Sequence, residues 1–314
     1  MIEAVFTQAL QTLLLIGVAP LLLGWVNQCR AWMQNRTGPG LMQPYRVLHK
    51  LFHKDAVVAD HASSLFRAAP YVQFGCMALV AAIVPVLATT LPYAAAADAI
   101  ALVGLFALAR LFAALSAMDV GTAFGSMGAR RVMLVGFLAE PALLMVFFTP
   151  SLIAHSTSLP TIVEALAGHG FVLYPSLAFA AIAFAMVALA ENARIPVDNP
   201  ATHLELTMIH EAMILEYSAR HLALIEWASA LKLINFAAIG IALFVPWGIV
   251  DADGWMLTPV AIVALILKLV AAGFALAVFE SLSAKLRIFR APEFLATAFL
   301  LAVLGMLIRL ALEQ

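Results

Sequence analysis

Charge is what this chain has least of. Charged residues make up 11% of its 314 positions and hydrophobic residues 64%, whereas a soluble domain carries about a quarter charged residues. That balance excludes a soluble globular core. The 17 Lys and Arg are offset by 18 Asp and Glu, for a net charge of −1, so no basic surface awaits a nucleic acid. Cysteine is reduced to Cys29 and Cys76, far apart and without a CxxC spacing. They cannot by themselves hold an iron–sulfur cluster or a structural zinc, and read as packed thiols. The N-terminus lacks a basic n-region and a small-x-small cleavage site, so Ala4–Val26 reads as a retained span rather than a signal peptide. No internal repeat or low-complexity linker divides the chain, and residues 1–314 read as one membrane domain.

What is present is a series of apolar runs, each long enough to cross a bilayer. Eight spans are expected, at 4–26, 69–91, 98–119, 131–154, 171–190, 222–247, 256–280 and 292–312. The fold class is therefore all-α and polytopic, because a lipid-exposed backbone must satisfy its own hydrogen bonds. Basic residues test the count. One set of connections holds Arg30, Arg36, Arg46, Lys50, Lys54, Arg67, Arg130, Arg131, Arg194, Arg220, Lys285, Arg287 and Arg290; the opposite set, 92–97, 155–170 and 248–255, holds no Lys or Arg. The positive-inside rule puts the first set in the cytoplasm and both termini outside. The long loops, 27–68 and 191–221, fall on the cytoplasmic side and suggest a docking face.

The first loop offers Arg36, Gly38, Pro39, Gln43, Pro44 and Lys50 as docking residues. Its glycine-proline turn opens a helix with Val47, Leu48, Leu51 and Phe52 on one side, lying under a partner or at the lipid interface. Asp119 and Arg130 mark the second loop as a further docking element. Its Gly121, Gly125 and Gly128 have no Walker lysine, so a tight connection with a helix starting near Arg130 is favoured over a phosphate cradle.

Ionisable residues at membrane depth are functional candidates by default. Glu140 is read as a turn or two inside the fourth span, either as a proton-exchanging carboxylate or as one paired with a basic neighbour for packing. Glu191, Arg194 and Asp198 surround Pro196 directly after the fifth span. A helical reading of 203–217 puts His203, Thr207, His210 and Glu211 on one face and Glu205 and Glu216 on another. Histidines among carboxylates suit a proton relay. His210-Glu211 lacks the second histidine of a zinc protease motif. Lys232 and Lys268, mid-span, should face protein or water and can join such a relay.

Taken in order, NRTGPGLMQPYRVLHKLFHKD (35–55), GTAFGSMGARR (121–131) with Glu140, and ENARIPVDNP (191–200) with Glu216-Tyr217-Ser218 resemble the membrane subunit 1 (H-type) family of respiratory complex I. The resemblance is nearer to its branch in membrane-bound group 4 NiFe hydrogenases, of the formate hydrogenlyase subunit 4 and hydrogenase-4 component C type, which ESLSAKLR (280–287) also resembles. It implies a non-catalytic subunit of the bacterial inner membrane that docks a soluble arm and couples it to proton translocation. It implies a path through Glu140, Glu191, Arg194, Asp198 and Glu216. The chain itself would bind no cofactor. Iron–sulfur clusters belong to hydrogenase-like soluble partners, beside antiporter-like membrane subunits; an NiFe centre and a quinone are left open. The chain departs from the family after Asp198, where Ala201 and His203 stand at two positions usually acidic and a few extra residues precede Glu216. The corresponding subunit 1 of an NADH-quinone oxidoreductase, with part of a quinone site, is the alternative. A standalone ion transporter and a pure anchor are the remaining readings.

Overall fold

The computed structural model describes residues 2–89, 92–93, 96–168, 174–198, 208–249, 258–284, 286 and 290–312. It contains eleven described helices: α1 (Ile2–Met33), α2 (Gln43–Phe52), α3 (Ser64–Ile83), α4 (Ala99–Asp119), α5 (Ala123–Ala154), α6 (Leu159–Gly168), α7 (Pro175–Glu191), α8 (His210–Ile214), α9 (Ala219–Phe244), α10 (Thr258–Leu282) and α11 (Ala291–Leu312). Seven are long and apolar enough to cross a membrane. The eighth expected span, α7, has 17 residues and is about 26 Å long, slightly under the roughly 30 Å hydrocarbon layer. The protein is a multi-pass, all-helical membrane protein. Its centre is built by α9, which is 67% buried over its apolar core, while α10 and α11 are only 22% buried within the chain. The helices pack α3 on α4 and α9, α4 on α5, α11 on α5 and α7, and α10 on α1.

Three expectations are corrected here. The second span does not stay helical to residue 91: α3 ends at Ile83. Pro85 follows, which has no N–H to donate and disfavours helix at the residue before it. The stretch 84–89 is nonetheless buried apart from the half-buried Ala88. Gln11 of α1, itself fully buried, makes this possible. Its amide donates to the carbonyl oxygens of Ala81 (3.4 Å) and Val84 (2.6 Å) and accepts from the N–H groups of Val86 and Leu87 (3.2 Å each). Irregular backbone survives at membrane depth only when satisfied in this way. Replacing Gln11 by Leu leaves several buried groups unmet, at about 1–3 kcal/mol each. The purified protein should unfold at a visibly lower temperature; an unchanged melting curve would rule this bracing role out.

The second correction concerns α5. It begins at Ala123, with Thr122 capping the Gly125 N–H, and not near Arg130. Of the glycines assigned to a connection, Gly121 does lie in it but Gly125 and Gly128 lie in the helix: a Cβ at Gly128 would sit 2.8 Å from the Ile209 carbonyl oxygen, so α5 and the segment before α8 can touch only because it is bare. Glu140 is therefore near the middle of a 32-residue helix rather than a turn or two from its end.

Third, the helix read over 203–217 does not hold over its described part: residues 208 and 209 are not helical, and among the described residues of that range only His210–Ile214 is. His203, Glu205 and Thr207 lie outside the described residues. On the opposite side, residues 155–170, read as a connection without Lys or Arg, include α6, whose Leu159, Ile162 and Val163 are fully buried. Asp98 holds its start through Thr157 (2.5 Å) and an isolated bridge to Ser158.

Candidate functional site: a buried ionic chain at the wall of an internal cavity

Arg110 sits in the apolar run of α4 and could not face lipid without great cost. Its guanidinium points inward, with the side chain 7% exposed, and bridges two helices. Nη1 donates to Glu140 Oε1 of α5 at 2.6 Å, and Nη2 to Glu191 Oε1 at the end of α7 at 2.7 Å. The other Glu191 oxygen accepts from Lys232 Nζ of α9 at 2.7 Å. Glu140, Arg110, Glu191 and Lys232 thus form one linear chain across four helices, with charges that cancel. Each contact is a short, charge-assisted hydrogen bond, the condition under which buried ions are tolerated.

The chain runs between two environments. At one end, Arg110, Glu191 and Lys232 line a cavity of about 440 Å³ that also exposes Arg194, Asp198 and Glu211. At the other end Glu140 is 37% exposed and lies on an outer flank with Leu108, Leu111, Met133 and Phe137. Phe137 is 78% exposed, so that flank is apolar apart from the carboxylate and the edge of Arg110.

A second node fixes the loop after α7. Glu280 of α10 is 1% exposed and takes Arg194 Nη1 on one oxygen (3.2 Å) and Arg30 Nη1 on the other (3.5 Å). Burial pulls the Arg194 guanidinium below the ordinary arginine range, and Glu280 opposes that pull. The turn itself is closed by Arg194 N–H to Leu189 O and Asp198 N–H to Arg194 O, and Leu286 N–H reaches Pro196 O at 2.9 Å. Asp198 Oδ2 accepts the His210 N–H at 3.3 Å, while His210 Nδ1 stands 3.5 Å from the same oxygen. Tyr217 stacks on Phe66 with ring centroids 4.0 Å apart and donates to its carbonyl at 2.9 Å. Burial pushes this phenol up to about 12, so it remains a donor.

A model of the NADH dehydrogenase family matches residues 7–311. The chain belongs to this family. Among curated members, formate hydrogenlyase subunit 4 of Escherichia coli (strain K12) is 33% identical over 305 residues, covering 96% of this chain and 97% of the relative. Hydrogenase-4 component C of the same organism is 38% identical over 239 residues, covering 76% and 74%. Among solved structures, a chain of the membrane-bound sulfane sulfur reductase, an archaeal respiratory membrane complex, superposes with a TM-score of 0.84 over 96% of this chain and 98% of its own, at 19% identity. That last likeness speaks to the fold.

Within this NADH dehydrogenase family framework, the expected residues separate into groups. Glu140, Glu191 and Lys232 meet in the ionic chain, and Arg194, Asp198 and Glu211 stand at the same cavity. Glu216 is exposed and Glu205 lies outside the described residues. Lys268 is elsewhere: its ammonium donates to the carbonyls of Val245 (2.6 Å) and Trp247, closing the C-terminal end of α9. The docking residues stand apart from the chain. Arg36, Pro39, Lys50 and Arg130 are exposed, Gln43 is half-buried and Pro44 is buried in the first turn of α2. Gly38 packs on Gln28, whose Oε1 accepts the Gly40 N–H at 3.1 Å, and Asp119 accepts the Ser63 N–H at 2.8 Å. Among the described residues no three His, Cys, Asp or Glu converge as metal ligands.

Arg110, Glu280 and Arg30 were not marked as site residues by the sequence. Arg110 carried the signal, a lone cation in an apolar run, but its acidic partners are 30 and 81 positions away.

Proposed function

We infer that this chain is a membrane subunit of a multisubunit redox-driven complex of the hydrogenase-4 and formate hydrogenlyase kind. Its task is to dock a soluble electron-transferring arm and to couple that arm to proton translocation. The observation that carries the coupling reading is the buried chain Glu140–Arg110–Glu191–Lys232 between a cavity lined in part by ionisable residues and an outer flank. Electrons stay in the partner subunits, with iron–sulfur clusters there, and this chain supplies fixed and exchangeable charge. A change of charge at the cavity, near Asp198, Glu211 or His210, alters how Glu191 is shared between Arg110 and Lys232. Arg110 passes the change to Glu140. A carboxylate on an otherwise apolar flank calls for a polar group opposite it, and an antiporter-like membrane subunit would supply one. Loops 34–63 and 192–218 would meet the soluble arm, on the basic side, with both termini periplasmic in a bacterial inner membrane.

The cavity volume falls in the range of small-molecule sites, which supports a quinone as the second reading. A quinone analogue that protects the purified complex against thermal unfolding would favour it over the hydrogenase-type reading.

Mild-detergent purification of the tagged native protein, with mass spectrometry and metal analysis, tests the assembly. Iron–sulfur and antiporter-like subunits should co-purify; recovery of this chain alone would overturn the reading. Glu140→Gln keeps a hydrogen-bond acceptor for Arg110 but removes an exchangeable proton. Proton translocation should fall by roughly tenfold in a normally assembled complex. Undiminished pumping would remove Glu140 from the path.

A further inference from the structure

We propose that Gly136 is a positioning residue: the bare backbone it leaves on α5 is the slot in which the Arg110 guanidinium lies while it bridges Glu140 and Glu191. This rests on the coupling reading above and names what holds its central cation in place. A Cβ built at Gly136 would lie 2.0 Å from Arg110 Nη1 and 2.8 Å from both Cδ and Cζ. No real side-chain carbon tolerates such separations. Gly136 is buried and stands one turn before Glu140, on the same face of α5. The nitrogen that the added carbon would strike, Nη1, is the one that donates to Glu140.

Helix propensity argues against glycine here, since it costs about 1 kcal/mol relative to alanine in a helix interior. Two glycines of neighbouring helices show no comparable need. A Cβ at Gly104 of α4, or at Gly75 of α3, would meet nothing within 4 Å. The atoms that Gly136→Ala would displace belong to the far end of a flexible side chain rather than to backbone. The helices therefore need not separate. The guanidinium must leave Glu140 while every charge of the chain is still present.

The test uses the assembled complex from membranes, with Gly136→Ala, Gly104→Ala, Arg110→Gln and the double variant Gly136→Ala/Arg110→Gln. Translocation is read in inverted membrane vesicles, with formate, hydrogen and NADH tried in turn as electron donor, and a cryo-EM map locates Arg110. Gly136→Ala should assemble, unfold at or above the wild-type temperature, and show Arg110 more than 4 Å from Glu140, with translocation down roughly tenfold. Gly104→Ala should match wild type. On the Arg110→Gln background, where translocation is already lost and the shorter side chain no longer fills the slot, Gly136→Ala should cause no further loss of assembly or of unfolding temperature. That double variant decides the matter even if Gly136→Ala alone fails to assemble.

A map with Arg110 still 2.6–2.7 Å from both carboxylates would overturn the proposal. So would an added loss in the double variant. Normal pumping in Gly136→Ala alongside failure of Arg110→Gln would overturn the slot and leave the coupling reading standing. Normal pumping in Arg110→Gln would instead sink the coupling reading, and the map alone would then decide whether the slot exists.

Discussion

Arg110→Met should abolish proton translocation and lower the unfolding temperature of the complex. The substitution keeps volume in α4 but removes the cation between Glu140 and Glu191. Two carboxylates then share a single lysine, and the cluster carries an uncompensated negative charge. Removing one partner of a buried ion pair costs about 3–5 kcal/mol, which is large against the 5–15 kcal/mol that holds a typical domain together. Arg110→Lys separates stability from function. An ammonium restores the charge but lacks the planar fork that serves two carboxylates from two nitrogens at once. It should recover much of the lost stability and little of the pumping. Inverted vesicles and thermal unfolding read the two quantities independently. An Arg110→Met complex that pumps normally would refute the coupling role of the whole ionic chain.

Glu280→Gln should be the most destabilising change outside that chain. Glu280 is almost fully buried and is the carboxylate held between Arg30 and Arg194. Its neutralisation strands two cations, again at about 3–5 kcal/mol. The turn 192–198 should then become sensitive to protease. A double variant, Glu280→Gln with Arg194→Met, removes one stranded charge and should be more stable than Glu280→Gln alone, the non-additivity expected of residues in contact. Strictly additive losses would mean that the two groups do not interact in the assembled protein.

The sequence disclosed helices far better than neighbours. Spans were legible because hydropathy is a property of a segment by itself, and each of the eight overlaps a helix in the structure, though the second is helical only as far as Ile83. Glu191, Arg194 and Lys232 were legible as site candidates because a charge beside an apolar run is conspicuous. Arg110 was visible as a mid-span cation, yet nothing local says that α4 lies against α5 and α7. Packing order within a membrane is set by small residues and interhelical hydrogen bonds rather than by hydropathy. The break after Ile83 had a local signal in Pro85, but the residue that makes it tolerable, Gln11, is more than seventy positions away. Glu140 was misplaced along its helix because glycines at 125 and 128 suggested a turn where they serve close packing. Lys268 looked equivalent to Lys232 by composition, and only the fold separates an ion-pair partner from a helix-end cap.

The ionic chain also constrains how this protein can change over generations. Its four members sum to zero charge, and three of them are largely buried, so a single replacement leaves a stranded ion that selection removes. Drift at these positions should proceed by paired exchange. A descendant that loses Arg110 should also have lost a carboxylate at 140 or 191, and one that swaps Lys232 for a neutral residue should carry a compensating neutral residue at 191. An alignment of many homologues should therefore show these four positions varying together, as a block, while the apolar positions around them vary one by one.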